Sequence, residues 1–116
     1  MRAYLIEDIY DNQAEKILAA LDEKGFKGPI EGIYYLPLLQ DLLEGDQPEH
    51  MQECGPYMMA LEAIDRVGDT FDFKLELLVR GKGRMRCSCV TYATPSQREY
   101  MIDFLDSFIR ELDIPV

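Results

Sequence analysis

The chain has no tryptophan, a single histidine and only three cysteines among its 116 residues. No apolar run approaches the roughly 18 residues that a membrane span requires. The opening residues, Met1-Arg2-Ala3-Tyr4-Leu5-Ile6-Glu7-Asp8, put acids where a secretory signal needs its apolar stretch. Basic residues are scarce: 12 Lys and Arg stand against 22 Asp and Glu, a net charge of −10. A field of that sign repels a phosphate backbone and argues against nucleic acid as a partner. A glycine-rich phosphate loop, a nucleotide fingerprint and a Ser-His-Asp pattern are all missing. An odd cysteine count without a signal segment implies reduced thiols, or metal ligands, in a cytoplasmic protein with no membrane partner.

What remains describes an ordinary globular chain. Hydrophobic residues make up 47% and charged residues 29%, which excludes a disordered or fibrous class. The length suits one domain over residues 1–116, able to bury a core without disulfides or metal.

Residues 2–9 are apolar and β-prone and predict a first strand. A helix follows from about Asn12, with Glu15 placed for a capping box and Ala14, Ile17, Leu18 and Leu21 at helical spacing. Gly25 and Phe26 fit a Schellman ending. Residues 30–36 predict a second strand, and short connections around the helix suggest a right-handed parallel crossover. Residues 37–56 are irregular. Pro48 opens a short helix there that stops at Gly55-Pro56.

Three β-prone runs follow, at 57–64, 70–80 and 84–93, separated by turn chemistry, and they predict an antiparallel meander. With Lys82 at the tip, Val79 faces Met85, Leu77 faces Cys87, Leu75 faces Cys89 and Phe73 faces Thr91. Tyr57, Met59, Leu61 and Ala63 continue that apolar face. The other face mixes Met58, Ala60, Ile64, Leu78, Val90 and Tyr92 with charges. The last helix has Thr94 as N-cap, Pro95 in its first turn and Gln97 completing a capping box. Met101, Phe104, Leu105, Phe108, Ile109 and Leu112 form its apolar stripe.

The expected fold is therefore a two-layer α+β domain with about five strands. Its order is β-α-β, short helices, then β-β-β-α, with two main helices on one face of the sheet.

Two constellations bear on function. His50 and Cys54 are four apart and share a helix face; Cys87 and Cys89 are two apart and share a strand face. One imidazole and three thiolates make a zinc ligand set. On the meander register, however, Cys54 stands two strands from Cys87, a backbone gap of about 9–10 Å. The register also buries both late sulfurs as small apolar groups. Second, Arg80, Lys82, Arg84 and Arg86 surround one hairpin tip and could hold a small anionic ligand. Alternatively they keep exposed strands soluble.

These features favour a non-catalytic module that needs no cofactor. It would self-associate, or bind a protein partner or small ligand, through the outer sheet face and residues 37–56. The alternative is a zinc-type centre at His50, Cys54, Cys87 and Cys89. A thiol-dependent enzyme is a second alternative.

Overall fold

The computed structural model describes residues 1–84 and 86–116. Strand β1 (Ala3–Tyr10) leads into helix α1 (Asp11–Glu23), and β2 (Ile33–Pro37) follows. A 3-10 turn at Gln40–Leu42 and the one-turn helix α2 (Met51–Cys54) precede β3 (Tyr57–Asp65). Then come β4 (Thr70–Glu76), β5 (Leu78–Gly81), the two-residue β6 (Thr91–Tyr92) and helix α3 (Pro95–Arg110). This is an α+β fold: one antiparallel sheet with its main helices on one face.

Sheet pairing departs from the expected crossover. Met58 pairs with Pro37 on one side and Arg80 on the other; Leu61 pairs with Tyr34 and Leu75. β3 thus has β2 on one flank and β4 followed by β5 on the other. β1 lies antiparallel beyond β4, and β6 lies beyond β5. The first two strands end on opposite edges of a wholly antiparallel sheet, so α1 makes no parallel crossover. It packs instead on β1 and β4.

The third strand of the meander is also shorter than expected. Only Thr91 and Tyr92 pair, with Val79 and Leu78. Leu75 faces Leu61 and Tyr4, not Cys89. The expected Val79–Met85 contact lies outside the described residues. The cause is competition for one edge: Ala3–Ile6 already occupies the flank of β4 from Glu76 to Phe73. The handover occurs at Leu77, whose amide donates to the Arg2 carbonyl (2.9 Å) while its carbonyl accepts from Ala93 (2.8 Å). Returning chain therefore finds a free edge only beside β5.

Local signals otherwise hold. Gly25 has φ 77°, and the Phe26 and Gly25 amides donate to Leu21 and Asp22, which is a Schellman ending. The α3 capping box between Thr94 and Gln97 is complete. At α1 the expected Asn12 cap is absent. The helix begins one residue earlier, at Asp11, whose amide donates to the Asp69 carbonyl. A bulge interrupts β1 before Ile9, where Asp8 adopts φ 60° and its amide donates to Asp72. Arg66 grips the second oxygen of Asp72 at 2.7 Å, and both contacts hold this carboxyl below its usual range.

The core lies between the sheet and the helices. Leu61, Phe73, Leu75, Leu77 and Val79 meet Ile17, Leu21, Met101, Leu105 and Ile109, all fully buried. Phe104 and Phe108, expected in that core, are only half-buried; they stack with each other and tilt against Phe26 at its margin. Leu105→Ala should therefore cost about 2–5 kcal/mol, and Phe108→Ala clearly less. Urea melts of the two variants check this; a larger loss at Phe108 would misplace α3.

Candidate metal centre

The site starts from two glycines. A side chain at Gly81 would collide with the Cys54 carbonyl, and one at Gly83 with the Glu53 carbonyl. Without side chains, the 81–83 segment lies directly on residues 53–56. The Gly83 amide donates to Cys54 (2.8 Å) and the Lys82 amide to Pro56 (2.9 Å). This contact ends the strand and carries the following loop over α2. Cys87 and Cys89 therefore sit on that loop, not on a strand, and the expected lateral gap from Cys54 closes.

On the other side, the Cys54 amide donates to the His50 carbonyl (2.8 Å). His50 caps α2, and its ring shares a side with Cys54. One ring nitrogen of His50 and the three Sγ atoms of Cys54, Cys87 and Cys89 all lie within 4.8 Å of one another. His50 Nδ1 is 3.0 Å from Cys87 Sγ. Cys54 and Cys89 are buried, whereas His50 and Cys87 are half-buried; all three cysteines are free thiols.

The electrostatics are uneven. The Cys89 backbone amide, then His50 and the neighbouring thiols, push the Cys87 thiol down to about 6. Burial pushes Cys54 up to about 12, and hydrogen bonds to the other two sulfurs add to this. The bond to Cys87 raises His50. Without metal, the contact between Cys87 and His50 thus favours the charged form of each.

A polar scaffold fixes the loops. Buried Gln47 donates to the Cys89 carbonyl (3.3 Å) and accepts from Gln97 Nε2 (2.9 Å), which also donates to Leu42. Tyr57 Oη donates to the Gln47 carbonyl (2.9 Å), Ser88 to Asp46 (2.8 Å) and Thr94 to Glu44 (2.6 Å). The Gln47–Gln97 pair carried no sequence signal beyond the capping role of Gln97.

Zinc–sulfur and zinc–nitrogen bonds in a tetrahedron imply ligand–ligand edges of roughly 3.5–3.8 Å. The donor atoms lie within 4.8 Å of one another and His50 is 3.0 Å from Cys87, so the edges would change by about 1 Å or less to hold such an ion. Four protein ligands would close the shell and leave no position for substrate.

The basic residues of the hairpin have different neighbours. Arg80 bonds Glu76 at 2.9 Å on the outer sheet face, and exposed Arg84 stands 3.6 Å from Glu53. Arg86 is exposed, and Lys82 borders a groove beside Tyr57 and Met58. Residues 37–56 run along the cluster and the start of α3, which leaves the outer sheet face uncovered.

A scan against protein-family models matched none, and searches of curated proteins and solved structures returned no significant match. The side-chain arrangement alone carries the functional reading.

Gly83→Ala should push the loop from Cys54, cost about 1–3 kcal/mol and speed native-state alkylation of Cys89. An unchanged labelling rate would mean the glycine contact does not seat the loop.

Proposed function

We propose that this chain is a zinc-binding α+β module, in which His50, Cys54, Cys87 and Cys89 hold one structural ion. The observation that carries the reading is the meeting within 4.8 Å of four donor atoms, two from helix α2 and its cap and two from a separate loop. A nucleophilic Cys–His pair needs only Cys87 and His50, and it leaves two further sulfurs at the same point without a role. A tetrahedral ion uses all four. The set of one imidazole and three thiolates is soft and selects zinc over magnesium or calcium. The Cys89 amide, directed at the Cys87 sulfur, supports a thiolate ligand. The ion would fasten residues 45–54 to the 82–90 loop at one end of the sheet. Its role is to order a binding surface rather than to carry a reaction. A reducing cytoplasm keeps the ligands available. Among the described residues, no helix is long and apolar enough to cross a membrane.

Protein purified with zinc present should carry one equivalent per chain. Cobalt substitution should give tetrahedral bands with thiolate charge transfer. Cys54→Ser or Cys89→Ser should abolish these bands. Metal at 100 times its dissociation constant should add about 2.7 kcal/mol, a melting shift of about 10 °C. A chain that melts identically with zinc and with chelator refutes the metal centre.

The open outer sheet face supports a second reading, self-association. Leu5 and Tyr92 are exposed there, Ile30 is 64% exposed nearby, and a groove of about 320 Å³ runs past Tyr35 and Ala60. Such mixed apolar faces suit interfaces. Light scattering should show dimers at high concentration, weakened by Tyr35→Glu; a strict monomer removes this reading.

A further inference from the structure

Three of the chain's five lysines border one groove. Lys24 caps the end of α1, Lys27 lies on the connection to β2, and Lys82 stands on the glycine-flanked turn. The groove has a volume of about 260 Å³ and no carboxylate in its lining. None of these lysines belongs to an ion pair among the described residues. The floor is apolar and aromatic, formed by Met58, Tyr35 and Phe26, and Pro37 and Pro56 wall it rigidly.

The contrast with the rest of the chain gives this groove its meaning. Asp and Glu outnumber Lys and Arg by 22 to 12, yet none of the acids enters it. Three lysines border one concavity, and an anion held there would be attracted by all three. Bare phosphate would satisfy the lysines but leave the aromatic floor wet. A neutral apolar ligand would cover the floor but leave the lysines unanswered. A volume near the lower end of small-molecule sites admits one or two rings.

We infer that this groove is a binding site for a small aromatic carboxylate. The ring lies over Met58 and between Tyr35 and Phe26, and the carboxylate faces Lys24, Lys27 and Lys82. Sulfur–ring and ring–ring contacts hold the body of the ligand. The lysines hold its head as mobile point charges rather than as a fork, so they select for charge more than for exact head geometry. The site does not need the zinc reading. Lys24 and Lys27 come from a different part of the chain, and Lys82 is seated by backbone bonds.

The test is an amide-shift titration with 2-naphthoate at neutral pH, in chelator and in zinc, with 2-naphthamide as the uncharged control. Naphthoate should move the amides of residues 24–27, 35, 58 and 82 saturably. The amide control should bind at least about tenfold more weakly, and so should naphthoate to the triple variant Lys24→Gln, Lys27→Gln, Lys82→Gln. These side chains are exposed, so that variant should melt as the parent does. Equal binding of the two probes overturns the site, and so does undiminished naphthoate binding by the triple variant. Shifts that leave residues 24–27 and 82 unmoved, or none at millimolar naphthoate, overturn it as well.

Discussion

Two backbone hydrogen bonds, from Gly83 to Cys54 and from Lys82 to Pro56, organise this end of the molecule. They form because neither Gly81 nor Gly83 carries a side chain that would meet the opposing carbonyls. The contact stops β5, turns the chain across α2 and brings two sulfurs from the 82–90 loop onto a third sulfur and an imidazole. It also sets Lys82 at the rim of the lysine-bordered groove. A residue with a Cβ at either glycine would meet a carbonyl oxygen of Glu53 or Cys54 and push the segments apart. The cluster is therefore a consequence of backbone proximity first and of ligand chemistry second.

Elements governed by local chemistry were legible in the chain. The alternation of 57–64 and 70–80, the Schellman ending at Gly25 and the capping box at Thr94 all appear where their residues place them. What the pattern could not disclose was which strand takes which edge. Residues 2–9 and residues 84–93 were both suited to lie along β4, and alternation does not rank two candidates for one flank. β1 occupies it, and the loser becomes mostly loop. Phe108 shows a related limit: helical spacing placed it on the apolar stripe, but the stripe is wider than the contact with the sheet. Its ring rests on Phe26 at the margin.

The site was half legible for the same reason. The spacing of His50 and Cys54 survives because it depends on one turn of helix. The spacing of Cys87 and Cys89 suggested a strand and hence burial among Leu75 and Leu77; in the loop, the same two residues direct sulfur toward His50. Gln47 and Gln97 left no legible trace as partners, since their pairing spans 50 residues and depends on two loops being in place. In the basic hairpin, Arg80 and Arg84 have carboxylate partners, and Lys82 borders a groove with Lys24 and Lys27 from far upstream.

Charge separates a metal centre from a packed set of thiols. Three thiolates beside a neutral imidazole would gather three negative charges at the end of an already acidic molecule. Without a cation Cys87 ionises more readily than an ordinary thiol, because the Cys89 amide and His50 stabilise its thiolate. Cys54, buried and surrounded by sulfur, keeps its proton up to about 12. A divalent ion changes that balance by replacing protons with two positive charges at the centre of the cluster. The imidazole bears on the half-buried Cys87, whereas Cys54 and Cys89 are the buried pair. The convergence of the three thiols on His50, beside a buried glutamine pair, is the feature that the proposed ion would use.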